Sequence, residues 1–510
     1  MPACVPAASA DSIAFPVESQ YDRLFALAHP KPRMSAEGRE SDMFPKCQIK
    51  TFLTSFLVLT PAVLFQAGCS NGSGSMTNPN VVKGSSFVVG TDAPLAAVTS
   101  FSVQLEAVNA IDSTGKSVSL LTGTPTVDFA RFNGLQTLLD MNDIPVGSYN
   151  SVSITLGAGS IGVLDTSGGG APTIQTEPAM FTTSTVTVTL ATPLVIAQAA
   201  EPVGLNLDFN LAKSIQVDST GQITGQVTPT FEITTVTTSH PKAHIDVFEA
   251  AVVSVDAGTQ SFVVQGPHGE QFTINTTAQT EWDGTATLAD LTANSIVEVA
   301  GILDKADQTL DADEVAILTQ TGFTASGQVT YAQPPTGTAT SFDLYVRGLL
   351  PTNTGLTLGQ IATVNVTGKE DFDIYWMHNP MSEFLFNASQ LVPGQAVSIG
   401  GPATGAANPQ AVTVKRVVLR QWGFSGTVVP GSIKPGKNTF QMQITGFAGV
   451  LVPQPVTVYL AGRSDFRFGW GHLGDLTDGA KVRVVGLLFK GSTAGAPVLL
   501  ARHVDDGNGI

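Results

Sequence analysis

Two tryptophan–histidine pairs stand out among the residues able to do chemistry: Trp376 with His378 in "FDIYWMH", and Trp470 with His472 in "FRFGWGH". Residues two apart on a strand project to one face, so each pair would set an indole beside an imidazole. Such a face stacks on a sugar ring and donates to a polar ligand, which makes these four the candidate ligand-binding residues. The plainer account is a Trp packed on its own domain and a His bonded to a loop carbonyl. Trp282 and Trp422, the other two tryptophans, have no His beside them.

Other patterns carry less. "DKADQTLDADE" supplies Asp304, Asp307, Asp311, Asp313 and Glu314, oxygen enough for calcium, but it lacks the glycine and ligand order of an EF-hand loop. It reads as a solvated acidic turn. "GAGSIG" (157–162) matches a dinucleotide fingerprint by letters, yet the "VLDTSGGGAP" that follows cannot form the helix that receives a pyrophosphate. "STGK" falls on a hairpin turn, where its Ser and Lys would not be held as nucleophile and base. No Cys or His cluster has metal-ligand spacing. The expectation is a protein that is not an enzyme, with no catalytic residue, no metal site and no cofactor.

The elements that would position these residues follow from composition. Of 510 residues 43% are hydrophobic and only 13% charged, with 51 Gly, 30 Pro and a net charge of −16. Globular domains carry about 25% charged residues, so low charge with abundant Gly, Thr and Val favours sheet over long solvated helices or disorder. An acidic chain without a basic cluster lacks the footprint that phosphate binding requires, which excludes nucleic acid as a partner. The length accommodates several domains.

Residues 1–42 show no sustained apolar period and read as a non-native extension ahead of Met43. After Met43, Lys46 and Lys50 precede an apolar run of about Thr51 to Phe65 and then small residues before Cys69. This is the layout of a secretory signal, too short for a membrane-spanning helix of about 20 apolar residues. Ala67, Gly68 and Cys69 resemble a bacterial lipobox, with Gln66 where that motif usually has Leu. The resemblance implies cleavage of a signal peptide at 43–68, diacylation of Cys69 and, from Ser70 after it, sorting to the outer membrane, with 69–83 as a flexible tether. Two acyl chains anchor stably where one does not, so the membrane is an expected partner, on its periplasmic or surface face. The three cysteines are Cys4, Cys47 and Cys69, so a chain cleaved before Cys69 keeps one and forms no internal disulfide.

Over residues 84–236, short β-branched runs alternate with turn residues. In "FSVQLEAV", Phe101, Val103, Leu105 and Ala107 point one way and Ser102, Gln104 and Glu106 the other, the pattern of a half-buried strand in an antiparallel sandwich. One helical piece is expected around "DFARFNGLQTLLDM", where Phe129, Phe132, Leu135, Leu138 and Leu139 fall at helical spacing. The runs "SFSVQLEAVNAIDSTGK", "VDFARFNG", "IPVGSYNSVSITL" and "LNLDFNLAKSIQV" resemble domain-of-unknown-function family 4382, a transthyretin-like β-sandwich of bacterial lipoproteins. That implies a fold and an extracytoplasmic setting, and no activity. "PVGSYNSV" also resembles the closing hairpin of carboxypeptidase-regulatory-like sandwiches, where Gly147 would turn the chain and Tyr149 pack on the next sheet.

Beyond a linker at 237–243 the chain repeats itself. "LTANSIVEVAG" (291–301), "LVPGQAVSIGG" (391–401) and "LTDGAKVRVVG" (476–486) each run from Leu to Gly with Asn or Gly at the fourth position. A turn residue that tolerates positive φ, then a strand alternating at Val297 and Val299, Val397 and Ile399, or Val482 and Val484, explains the spacing. A second window, "FTINTTAQTEW", "ATVNVTGKEDF" and "VTVYLAGRSDF", reads as a strand, a turn, then an acid beside an aromatic. Copies at 244–320, 321–421 and 422–505 are expected to close into barrels, since closure removes exposed edges. Their "L-x-x-G-x-x-V-x-V-x-G" run resembles domain-of-unknown-function family 5666, OB-like β-barrel modules. The fold class is therefore all-β: an N-terminal antiparallel β-sandwich followed by three repeated small OB-like β-barrels. The expected function is that of a lipid-anchored cell-envelope protein with a non-catalytic binding or scaffolding role toward a glycan or protein partner. Its barrels would project from the membrane and combine weak sites through avidity. The alternative is a polysaccharide-acting enzyme or its accessory subunit with the Trp–His pairs at the site.

Overall fold

The computed structural model describes residues 82–506, apart from 94–97, 133–134, 169, 199, 220–221, 267–270, 284–285, 305–308, 352–353, 376–384, 403–410, 468–469 and 492–496. Strands dominate, and the α-helical segments among the described residues are the short Leu211–Ser214 and Gly446–Leu451. One sheet of the sandwich sets Phe231–Thr237, Val203–Asn210, Lys83–Ala93 and Thr137–Pro145 side by side. The other is built on a long hairpin of Val98–Asp112 and Gly147–Asp165, flanked by Thr173–Pro178, Thr185–Ile196, Ser117–Ser119 and Thr126–Asp128. Pairing is antiparallel with one exception in these two sheets, since Lys83–Ala93 runs parallel to Val203–Asn210. Between the sheets Phe209 stacks on Phe231 at 4.4 Å, and Phe129 meets Phe209 edge-on at 5.2 Å.

Two local expectations are corrected. The described residues of 128–141 form no α-helix: they make one 3-10 turn, Phe129–Arg131, and then enter the strand Thr137–Pro145. Its apolar spacing serves two cores, Phe129 and Phe132 facing the sandwich interior while Leu138 joins the core of the following domain. In the first long strand, irregular pairing on either side of Leu105 shifts the alternation, so Val108 and Ala110 are buried in place of Ala107. Tyr149 packs inside as expected, its hydroxyl donating to the Pro145 carbonyl at 2.7 Å.

The first barrel comprises Ile245–Asp256, Ser261–Gln265, Gln271–Asn275, Ile296–Leu303 and Thr309–Thr319. Its first strand pairs with the second and fourth, the second with the third, and the fourth with the fifth, while the fifth closes the ring by running parallel to the third. The same pairings link Phe323–Gln333, Ser341–Leu350, Ile361–Asn365, Ala396–Gly401 and a last strand in two pieces, Ala411–Thr413 and Arg416–Arg420. They recur in a closed barrel of Trp422–Val428, Thr439–Ile444, Val456–Arg467, Lys481–Phe489 and Val498–Asp506. At the fourth position of the repeated window Asn294, Gly394 and Gly479 have φ of 72°, 88° and 76°, the left-handed region where Gly and Asn are tolerated.

The units are not separate beads, because their cores cross from one to the next. Phe87, Val89, Leu138 and Val236 pass from the outer face of the sandwich into the core of the first barrel, so that sheet is covered on both sides. Leu487, Phe489 and Leu500 of the third barrel join the core of the second. Even the linker is docked, with Ala243 buried and Asn206 donating to the Lys242 carbonyl at 3.2 Å. All described residues belong to one compact unit, Thr77–Ile510.

Candidate functional site

Of the residues singled out by spacing, Cys69, Trp376 and His378 lie outside the described residues. Trp470 is half-buried against the core of the third barrel. His472 is the N-cap of the 3-10 turn Leu473–Asp475, its side chain 73% exposed. Its N–H donates to Asp475 Oδ2 at 3.0 Å and its Nδ1 lies 3.2 Å from Asp475 Oδ1. Thr287 fills that capping place in the first barrel and Asn387 in the second. The strand has already ended at Arg467, so Trp470 and His472 do not share a strand face.

The acidic run also resolves into structure. Asp304 N–H donates to the Thr309 carbonyl at 2.9 Å, and Asp311 and Asp313 sit on the last strand of the first barrel; Asp307 lies outside the described residues. "GAGSIG" lies inside the strand Gly147–Asp165. "STGK" is a turn in which Asp112 Oδ1 accepts from the backbone N–H of Thr114 and Lys116 at 2.8 and 3.0 Å.

The constellation the fold does assemble grows out of the repeated window. Between its two core-facing positions stands one residue that points out of the barrel: Glu298, Ser398 or Arg483. In the first barrel Glu298 lies opposite Glu249 on the adjacent strand, whereas the second barrel has Ser398 opposite Ser326. Two carboxylates side by side repel, and the small serines leave space for a cation between the barrels. Arg420, from the last strand of the second barrel, takes that space. Its Nη1 donates to Glu249 Oε1 at 3.1 Å, and the same guanidinium pairs with Glu298 and reaches Ser398 Oγ. Arg131, from the 3-10 turn of the sandwich, donates to the other oxygen of Glu249 at 3.1 Å. Charge therefore alternates along Arg131, Glu249, Arg420 and Glu298, crossing from sandwich to first barrel to second. Gly348 makes the crossing fit, because a Cβ there would sit 2.5 Å from Glu249 Oε2 and 2.2 Å from Ser326 Oγ. In the third barrel Arg483 is satisfied locally, donating from Nε and Nη2 to Asp505 Oδ2 at 2.9 and 2.6 Å.

Burial pushes Glu249 toward protonation, but the Arg131 and Arg420 guanidiniums outweigh it and hold the carboxyl below its ordinary value. Burial lowers Arg420, although a guanidinium keeps its proton in proteins. Beside this chain, Arg347 donates to the Ala130 carbonyl at 2.8 Å and lies 5.2 Å from the ring of Tyr345 and 5.7 Å from that of Trp422. Asp128, which accepts from Phe101 N–H at 2.8 Å, is raised by its burial against the pull of Arg347 and Arg131. Asp128, Arg131, Glu249, Arg347 and Arg420 border a cavity of about 340 Å³ whose apolar wall includes Phe132, Leu135, Phe248, Leu358 and Val397. A carboxylate clamped between two guanidiniums is a poor proton acceptor, so this arrangement suits the holding of units in fixed relation better than acid–base chemistry.

Among families of known sequence, residues 87–226 match Domain of unknown function (DUF4382) and residues 249–316 match Domain of unknown function (DUF5666). The first match spans most of the sandwich and the second most of the first barrel. No curated protein matches the chain.

Proposed function

We propose that this is a lipid-anchored protein of the bacterial cell envelope, held at the outer membrane through Cys69, that binds or scaffolds a glycan or protein partner without catalysing a reaction. The observation that carries the reading is the Arg131–Glu249–Arg420–Glu298 chain, which commits buried charge to fixing the sandwich and two barrels against one another. Buried ion pairs are weak sources of net stability, and their best-attested use is to specify arrangement. A frame fixed in this way presents its surfaces with little ordering cost on binding. The exposed rim around His472, with Trp470 behind it, is the contact surface this reading favours. The signal-like and lipobox-like segments support the location.

Two measurements test it. Cys69→Ser should move the protein from the membrane fraction to the soluble fraction of cells and abolish its labelling by a fatty-acid analogue. The immobilised full chain should retain an envelope polysaccharide or protein, and retention should fall in Trp470→Ala and His472→Ala assayed well below the melting temperature of each variant. Retention of nothing, or retention indifferent to both substitutions, would favour a mechanical spacer instead.

A further inference from the structure

A second cleft, of about 270 Å³, opens where the first barrel meets the third, and its walls are acidic. Asp246, Glu281, Glu298, Asp313 and Glu314 of the first barrel line it, against one guanidinium among the described residues of its wall, Arg502 of the third. Arg502 pairs with Glu314, Arg420 pairs with Glu298, and His244 spans Asp246 and Asp313 at 3.1 and 3.3 Å. Carboxylates thus outnumber permanent cations at the cleft.

A second observation is independent of that charge. Tyr375 lines the same cleft, is only 3% exposed, and its hydroxyl has no hydrogen-bond partner among the described residues. Burial first, and then the charges of Asp283 and Glu281, raise its pKa, so the phenol keeps its proton and its oxygen keeps an unused acceptor site. Leaving such a group buried and unpaired is costly, and a ligand would relieve the cost. A bare metal ion needs several oxygens converging on one point, and among the described residues no group of three or more His, Cys, Asp or Glu side chains converges in that way. The carboxylates are spread along the walls, which suits a ligand with donors at more than one point.

We infer that this cleft binds a small organic cation carrying more than one ammonium group, a short di- or polyamine. Its ammonium groups donate to the wall carboxylates, and one of them donates to the Tyr375 hydroxyl. A neutral polyol could also engage Tyr375 but would gain nothing from the excess of negative charge.

Calorimetric titration of the full chain with putrescine and spermidine, beside sodium chloride at matched ionic strength and a hexitol, tests the proposal. The expected result is saturable binding of the amines, one per chain, with no saturable response to salt or hexitol. Tyr375→Phe keeps the ring and removes only the orphan hydroxyl, and should weaken amine binding about tenfold, as expected for one hydrogen bond to a charged group. Should that variant fail to fold, Asp313→Asn, whose side chain is 59% exposed at the rim, decides in its place with a weakening of about fivefold. Absence of saturable amine binding, hexitol binding as strong as amine binding, or amine binding unchanged in the deciding variant would each overturn the inference, the last by placing the amine elsewhere on an acidic exterior.

Discussion

Glu249 has two guanidiniums for neighbours and almost no water, and the consequences of that position are measurable. Glu249→Ala would remove the acceptor that Arg131 and Arg420 share, leaving the buried Arg420 only Glu298 and Ser398, and should cost about 3 kcal/mol in urea unfolding. A loss below about 1 kcal/mol would show that the ion chain is as weak as an ordinary surface pair. The same residue governs a pH response. Glu249 and Asp246 are both held below their ordinary values in the fold, in each case against burial, Glu249 by Arg131 and Arg420 and Asp246 chiefly by His244. On acidification the unfolded chain therefore takes up protons before the folded one, so the stability these groups contribute is complete above the ordinary carboxylate range of about 3.9–4.3 and is lost as pH falls through the folded values. Asp128, raised by its burial, works against that slope. The share of the unfolding free energy owed to these carboxylates should hold level from neutrality to about pH 5 and fall below about pH 4, less steeply in Glu249→Gln; a variant with an unchanged acid limb would remove Glu249 from the account.

At the scale of elements, one turn appears three times in different surroundings. Asn294 holds φ of 72° without glycine's freedom, so Asn294→Ala should destabilise by about 1 kcal/mol and Asn294→Gly should not. The converse exchange separates the other two copies. A Cβ at Gly394 would lie 2.2 Å from Val452 Cγ2, whereas at Gly479 nothing lies within 4 Å. Gly394→Asn should therefore cost about 1–3 kcal/mol more than Gly479→Asn in denaturant melts, and equal costs would mean that the Val452 contact yields. These turns and the strands after them were legible in the sequence because positive φ selects Gly or Asn locally and a half-buried strand alternates. The segment around Phe129 to Leu139 misled because apolar residues bound for two different cores interleave there and mimic one helix face. The ion chain was illegible for a different reason. Glu298 and Ser398 occupy outward positions that alternation assigns to solvent, and only the docking of a second barrel buries them. Trp470 and His472 stand two apart, but the strand that would have set them on one face stops at Arg467.

For the molecule as a whole, cores that cross unit boundaries predict shared fates. Leu138 leaves the sandwich to fill the first barrel, so Leu138→Ala should cost about 2–5 kcal/mol as a core truncation and lower the midpoint of both units together. Tryptophan fluorescence, to which Trp282, Trp422 and Trp470 contribute together with Trp376, should then follow far-UV circular dichroism in a single coincident transition. Two resolved transitions would mean that the junction yields before the units do.

The strand Lys83–Ala93 sets the order in which such a chain can be completed. It lies between Thr137–Pro145 and Val203–Asn210, both of which come far later in the sequence. In a polypeptide made from its N-terminus onward, this strand is made well before either of its neighbours. For that interval it is an open edge able to pair with the wrong chain, and pairing across long separations is slow to form. Each barrel, by contrast, draws its strands from one contiguous stretch. The strand's period of vulnerability therefore lasts until residue 210 has been made, and ends when Val203–Asn210 pairs with it.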